Sequence, residues 1–160
     1  MGKMNNIIFE DAKIFLKNLG GNPDRFNPRG GVRSFCVWVP EEMVDELISE
    51  GWAIKYTKPR DEEEEPKPYM KVKAAYGKVP PSIYICTKKN KTLLTADTVG
   101  SVDYAEIKRV DLVVRPYEYD SPSIGKGVAA YVKNMYVTIV EDPFADRYSY
   151  DEPEDEAEPF

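Results

Sequence analysis

Three features of the 160-residue sequence predict a mostly β fold. Short runs rich in aromatic and β-branched residues recur along the chain, as is typical of strands. Only one segment has a clear helical pattern, and strands do not alternate with helices, which disfavours a doubly wound α/β fold. About six or seven closely spaced strands instead favour a small closed or nearly closed sheet.

The predicted strands flank one predicted helix. Segment 6–19 is strand-like at its start, and the other predicted strands are 34–39, 52–58, 69–76, 82–88, 107–119 and 128–140. In "PEEMVDELISEG" (40–51), Pro40 suits the first helical position and Gly51 can end the helix. Its apolar stripe consists of Met43, Val44, Leu47 and Ile48. Among small closed sheets, an OB-type five-stranded barrel with extra strands and one or two short helices fits this order best.

Acidic residues are concentrated in two segments. The net charge is -6, but residues 151–160 hold six of the 28 acids and none of the 22 bases, so residues 1–150 are neutral. A second acidic run, 61–65, lies in a Pro-flanked stretch that is typical of a loop. Without that run, residues 1–140 carry 21 bases and 14 acids. We therefore expect a cationic domain over 1–142 and a flexible acidic tail over 143–160.

Composition disfavours several kinds of site. The chain has no histidine, which removes most zinc sites and every catalytic scheme that uses imidazole. Cys36 and Cys86 lie in strand-like runs without CxxC spacing and are predicted to be reduced core residues. No apolar run approaches roughly 18 residues, and the N-terminus has no signal-peptide pattern. We expect a cytoplasmic protein with no cofactor, no metal and no membrane partner.

Cationic and aromatic side chains alternate with apolar ones on the predicted strands. In 69–76, Tyr69, Lys71 and Lys73 point away from Met70 and Val72. Single-stranded nucleic acid needs both groups, because Lys and Arg bind phosphates and aromatic rings stack on unpaired bases. The candidate DNA-binding residues are Arg25, Arg29, Arg33, Trp52, Lys55, Tyr56, Lys58, Tyr69, Lys71, Lys73, Tyr76, Lys88, Lys89, Lys91, Arg109, Arg115, Tyr117 and Tyr119. Taken singly, each also suits an ordinary solvated strand.

The acidic C-terminus suggests two further roles. A flexible polyanion tethered beside a cationic groove competes with nucleic acid for that groove. Phe160, next to the terminal carboxylate, suits an apolar pocket lined by cations on a partner protein. The candidate partner-binding residues are Asp155, Glu156, Glu158, Pro159 and Phe160. A tail that only improves solubility is the alternative interpretation.

Several stretches of the chain resemble a known family. The tip "EDEAEPF" is similar to the acidic, Phe-terminated tips of bacterial and phage single-stranded DNA-binding proteins. The body, including "RGGVRSFCVWV", "DYAEIKRVDLVVRPY" and "GVAAYVKNMYVTIVEDPFADRY", resembles small phage proteins with an OB fold that bind single-stranded DNA. The resemblance implies a protein that coats DNA during phage replication, recombination or repair. It also implies a tail that recruits replication or recombination proteins.

Two other classes stay open at this stage. A metal-dependent phage nuclease could use carboxylates without histidine, and the candidate ligands are Glu10, Asp11, Asp97, Asp103, Glu106 and Asp111. None of them has a recognisable ligand spacing, so we expect a protein that is not an enzyme. A structural virion protein would explain the β content but not the tail. The oligomeric state is left open, with a homodimer as one arrangement.

Overall fold

The structure is a computed structural model that describes residues 4–25 and 27–141. Within these ranges the chain forms nine β-strands, one α-helix and one 3-10 helix. The strands are β1 (Ile7–Phe9), β2 (Ile14–Asn18), β3 (Ser34–Trp38), β4 (Lys55–Tyr56), β5 (Pro68–Lys73), β6 (Ser82–Cys86), β7 (Lys91–Leu93), β8 (Ile107–Ser121) and β9 (Gly125–Ile139). Helix α1 spans Glu41–Glu50, and the 3-10 helix spans Val99–Tyr104. The predicted mostly β class is confirmed.

The strands form one sheet that closes on itself. Its strand order is β1-β8-β9-β5-β3-β2, and within this order β5 runs parallel to β9. Three further strands extend the sheet: β6 pairs parallel with β9, β7 pairs with β6, and β4 pairs with β5. The link between β1 and β2 joins the two edges of the sheet. Ala12 N donates to Val110 O at 2.7 Å, and Trp38 N donates to Lys13 O at 3.0 Å. With β1 and β2 acting as one bent strand, the circuit is the five-stranded OB-type barrel that the sequence predicts.

The barrel interior is apolar and is filled from every strand of the circuit. The largest fully buried side chains include Phe35, Val37, Met70, Val72, Ile83, Val110, Leu112, Val114 and Met135. Strand β9 contributes through a bulge: Val113 and Val114 of β8 pair with Asn134 and Val132, so Lys133 is an extra residue. Because of this extra residue, Val132 and Met135 both face the interior.

Helix α1 follows the predicted pattern in part. Val44 and Leu47 are buried, whereas Ile48, predicted on the same stripe, is 48% exposed. Gly51 ends the helix in the left-handed conformation, with φ of 103°, and its N–H reaches the carbonyls of Leu47 and Ile48. Glycine tolerates this conformation without a steric penalty, which explains its place there.

Two predicted elements differ from the structure. The predicted strand 52–58 shortens to Lys55–Tyr56, because its first residue turns into the core. The strand-like segment 6–19 divides into β1 and β2 at Asp11, whose φ is 54°. The positions of strand β7 and of the 3-10 helix were not predicted, although the predicted fold allowed extra strands and a second short helix. No helix within residues 4–25 and 27–141 is long and apolar enough to cross a membrane.

Candidate nucleic-acid interface

The outer surface of β3 and β5, together with the adjoining parts of β2, β4, β8 and β9, is here called the front face. Interior side chains of β5 alternate with exposed ones, so Tyr69, Lys71 and Lys73 share this surface as predicted. Directly paired residues lie on the same side of a sheet. Three rows of such residues cross the front face: Trp38–Tyr69–Lys55, Phe15–Cys36–Lys71 and Ser34–Lys73–Tyr131–Arg115.

Three aromatic rings form a cluster at one side of the front face. The Phe15 and Trp38 rings stack with centroids 4.1 Å apart and planes at 17°. Tyr69 contacts both edge-on, at 5.6 Å from Phe15 and 6.1 Å from Trp38. The ammonium of Lys67 lies 5.9 Å from the Trp38 centroid, within range of a cation–π interaction. All three rings are half-buried, so they are supported from below and accessible from above.

A second aromatic and cationic group lies at the other side of the front face. Tyr117 meets Tyr131 edge to face, with centroids 6.0 Å apart. The guanidinium of Arg115 lies 5.2 Å from the Tyr131 centroid. Since Tyr131 is paired with Lys73 of β5, this group continues the row of cations from β5 into β8.

A cleft opens between the two groups. Strands β5 and β9 pair only at Val72–Ala130 and Lys73–Tyr131, and beyond those pairs they separate. The cleft has a volume of about 350 Å³, and the polar side chains that line it are Lys55, Lys71, Lys73 and Tyr119. Three ammonium groups around one cleft favour an anionic ligand.

Cys36 lies at the centre of the front face, between Phe15 and Lys71. The residue is 7% exposed. Burial raises the pKa of its thiol, and the positive charges of Lys71 and Lys55 oppose this effect. The thiol therefore stays neutral at neutral pH. Cys36 is free and buried, as predicted, whereas Cys86, also predicted to be a core residue, is free but only half-buried.

Tyr119 depends on a glycine for its place at the cleft. It pairs with Gly127 across the β8–β9 hairpin. A Cβ at position 127 would overlap the phenol oxygen and ring carbons of Tyr119. Gly127 thus leaves room for the ring to lie flat over the neighbouring strand.

Two aromatic residues among the predicted DNA-binding residues do not lie on the front face. Trp52 was predicted to bind DNA, but it is 4% exposed and packs in the core beneath the cleft, so it offers no face to a base. Tyr56 pairs with Pro68 and so lies on the opposite side of β4 from Lys55.

Arg33 and Tyr76 stabilise the domain together. The Arg33 guanidinium donates to Leu19 O at 2.8 Å and lies 5.5 Å from the Tyr76 centroid. Tyr76 packs against the core, and burial raises its pKa while the charge of Arg33 lowers it. Both side chains thus have structural contacts that account for them.

The remaining predicted cations lie outside the front face. Arg25 and Arg29 belong to the exposed loop between β2 and β3, and Lys58 follows β4. The other four are at the far end of β9, around the β6–β7 hairpin: Lys88, Lys89, Lys91 and Arg109. Arg109 there forms an ion pair with Asp111 at 3.0 Å. The predicted partner-binding residues 155–160 lie outside the described residues.

Of the carboxylates of the nuclease alternative, Asp11 and Asp111 are neighbours, since the backbone N–H of Asp11 donates to Asp111 Oδ1 at 3.0 Å, but the six candidates do not form a metal site. Asp103 accepts hydrogen bonds from the backbone N–H groups of Leu19 and Gly20 at 2.7 and 2.9 Å, which ties the 3-10 helix to the end of β2. The pKa of Asp111 is lowered mainly by its hydrogen bond from Arg109, with burial opposing. Within residues 4–25 and 27–141, no group of three or more His, Cys, Asp or Glu could hold a metal ion.

Several residues of the site were missed by sequence reasoning. Phe15, Trp38 and Tyr131 lie in largely apolar or aromatic runs, in which their apolar neighbours obscure the outward-facing side. The one available signal was strand alternation, because in 34–38 the residues flanking Trp38 and Cys36 are those that face the core.

A closed barrel with cations and aromatic rings on this face defines a nucleic-acid-binding barrel of the OB type. The model of the phage ssDNA-binding domain family matches residues 1–158, so the chain belongs to that family. Single-stranded DNA is accordingly its ligand, and the family is a DNA-binding one.

Solved structures of similar fold include a phage protein. The single-stranded DNA-binding protein from bacteriophage Enc34, in complex with ssDNA, has a TM-score of 0.56 and 16% identity over 88% of this chain and 89% of that chain. A C-terminal truncation of the Enc34 protein has a TM-score of 0.55 and 16% identity over 88% of each chain. At such identities the likeness concerns the fold. No curated protein matches the chain in sequence.

Proposed function

We propose that this protein coats single-stranded DNA during phage replication, recombination or repair, and that the DNA strand crosses the front face. The observation that carries the proposal is the row arrangement, in which aromatic rings and ammonium groups lie side by side on adjacent strands. None of the side chains in the three rows is a carboxylate. A polyanion therefore meets no repulsion along these rows.

Each kind of side chain has a distinct task. Lys55, Lys71 and Lys73 around the cleft bind phosphates as point charges, without reading the sequence. The rings of Trp38 and Tyr131 offer faces for unpaired bases, and stacking contributes roughly 1 to 3 kcal/mol per base. Since every base has a π-face, binding is tolerant of sequence. Paired bases in a duplex are not free to stack, so single strands are preferred.

The two tryptophans provide a direct test of this placement. Trp38 lies half-exposed on the front face, whereas Trp52 is buried in the core. Titration with oligo(dT) should quench the intrinsic fluorescence of Trp38 and leave that of Trp52 nearly unchanged. The variants Trp52→Phe and Trp38→Phe each isolate one of the two signals.

The outcomes of the titration separate the possibilities. Quenching that persists in Trp52→Phe and disappears in Trp38→Phe, while anisotropy of labelled DNA still reports binding, supports the front face. Binding without any change in Trp38 emission would place the DNA elsewhere. A matched duplex and a magnesium arm complete the design, since cleavage of the oligonucleotide in magnesium would revive the nuclease alternative.

The C-terminal tail gives the protein a second proposed activity. Six carboxylates in residues 151–160 compete with DNA for the cationic surface, and displacement of the tail by DNA exposes Phe160 to replication or recombination proteins. This mechanism would couple recruitment to DNA binding. We place the protein in the cytoplasm of the host, where replicating phage DNA is found, and we assign it no enzymatic activity.

A further inference from the structure

A second aromatic and cationic surface lies on the β6–β7 hairpin and the adjoining end of β9. Its members are Tyr84, Tyr136, Lys91 and Leu93, here called the hairpin patch. Strand pairing places Leu93 beside Tyr84 and Tyr84 beside Tyr136, so these three side chains share the outer surface of three adjacent strands. Ile83 and Met135, the neighbours in sequence, are fully buried on the inner side.

The two tyrosine rings of the hairpin patch form a platform. Their centroids are 5.1 Å apart and their planes differ by 7°. The ammonium of Lys91 lies 4.7 Å from the Tyr84 centroid and 5.7 Å from that of Tyr136. These three distances form a compact triangle, so the charge contacts both rings instead of lying beyond one of them. A phosphate bound by Lys91 would keep its own base within reach of the rings.

The surroundings of the platform leave it open and cationic. Leu93 is 54% exposed beside Tyr84, which extends the apolar surface without covering it. Lys88 and Lys89 in the adjacent turn are exposed. Asp111 lies beside Tyr136, but Arg109 pairs with it and neutralises its charge. The surface thus combines an accessible π-platform with net positive charge, as single-stranded nucleic acid requires.

Strand β9 connects the hairpin patch to the front face. Tyr131 at the front face and Tyr136 in the patch are five residues apart, roughly 16 Å at about 3.3 Å per residue. Both point outwards, because the bulge at Lys133 shifts the alternation between them. Lys133 itself is exposed midway, so a cation lies on the path between the two surfaces.

We propose that the hairpin patch is a second stacking subsite for the same DNA strand that crosses the front face. This inference rests on the proposed function. It assigns Tyr84 and Tyr136 to base stacking and Lys91 to a phosphate, and it lengthens the footprint along β9. An oligonucleotide long enough to reach the patch gains affinity from it, whereas a short one occupies the front face alone.

The test compares oligo(dT) of two lengths, about 6 and about 16 nucleotides, which span the usual range of site sizes for an OB barrel. Tyr136→Ala should weaken binding of the long oligonucleotide about five- to tenfold, at the lower end of the range for one lost stack, because one side of the ring already contacts Tyr84. The short oligonucleotide should bind as to the wild type. Tyr136→Phe keeps the ring and should keep the affinity.

Two controls complete the test. Tyr104 is 82% exposed on the 3-10 helix and belongs to neither surface, so Tyr104→Ala should change neither affinity. If Tyr136→Ala fails to fold by thermal melting, Lys91→Gln replaces it: the slope of log K against log salt should become shallower by about 0.7 with the long oligonucleotide only.

Each outcome decides between the proposals. Equal binding of the long oligonucleotide by wild type and folded Tyr136→Ala, or equal losses at both lengths, would overturn the subsite while leaving the front face intact. An unchanged salt slope in Lys91→Gln would do the same. A wild-type protein that binds neither length would refute the proposed function itself.

Discussion

Replacement of Trp38 by alanine is the sharpest perturbation of the front face. One face of the ring packs on Phe15 at 4.1 Å, and the ring also contacts Tyr69, so at most one face can receive a base, and the exposed Lys67 ammonium, 5.9 Å from the centroid, has to leave that face clear. The loss of one base stack, taken at about 1.5 kcal/mol within the range of 1 to 3, weakens binding roughly tenfold. The salt dependence should stay the same, because no charge is removed.

The same substitution also destabilises the domain. Two aromatic contacts disappear, each contributing about 0.5 to 1.5 kcal/mol, so the free energy of unfolding should fall by about 1 to 3 kcal/mol. For a domain of this size the melting temperature drops by about 3 °C per kcal/mol. The variant should therefore remain folded at 25 °C, where affinity is measured.

The assay is fluorescence anisotropy of labelled oligo(dT) at several salt concentrations, with thermal melts of each variant. Tyr104→Ala is the matched control, since it removes an exposed ring outside the site. If folded Trp38→Ala binds DNA as tightly as the wild type, Trp38 does not stack on a base. A loss of affinity that comes with a shallower slope of log K against log salt would also contradict stacking, because it would indicate lost phosphate contacts.

Three further predictions concern charge. The three cleft lysines are Lys55, Lys71 and Lys73. Replacing all three by Gln should make the slope of log K against log salt shallower by about 2, at about 0.7 per lost phosphate contact, as measured by DNA titrations at increasing salt. The hydrogen bond from Arg109 is the main reason that the pKa of Asp111 is lowered in the folded state. Asp111 therefore stabilises the fold fully above its unfolded pKa of about 4, and this stabilisation is lost as the pH falls through its folded pKa. In Asp111→Asn, the melting temperature should no longer show this loss at acid pH. Deletion of residues 151–160 should raise the affinity for DNA at low salt only. Phe160→Ala should leave the affinity for DNA unchanged and weaken the capture of replication proteins. If deletion leaves the affinity for DNA unchanged, the tail is only a solubilising extension.

Alternation within a single strand could be predicted from the sequence. Residues 69–73 alternate polar and apolar side chains, and the structure confirms that Tyr69, Lys71 and Lys73 face outwards. Strand β8 alternates in the same way, with Val110, Leu112 and Val114 buried. These strands are half-buried, so their sequence carries the period of two that marks a face.

Pairing between strands could not be predicted in this way. Trp38 meets Phe15 and Tyr69 only because β2 and β5 flank β3, and nothing local to 34–38 encodes those neighbours. Trp52 was misplaced because an aromatic residue after a helix suits either a surface or a core. Its burial follows from the left-handed turn at Gly51, which directs the chain inwards.

The bulge at Lys133 makes the number of residues in β9 important for the direction of its side chains. Tyr131 and Tyr136 occupy positions of opposite parity, and a regular strand would send them to opposite sides. Removal of Lys133 would leave the two tyrosines at positions of the same parity, so a regular strand would still present both on the outer side. One further residue between them, with the single-residue bulge kept, would turn Met135 and Val137 outwards and Tyr136 into the barrel. Outside the bulge, insertions and deletions in this strand are therefore constrained more tightly than substitutions, since residue count decides which side chains reach the solvent.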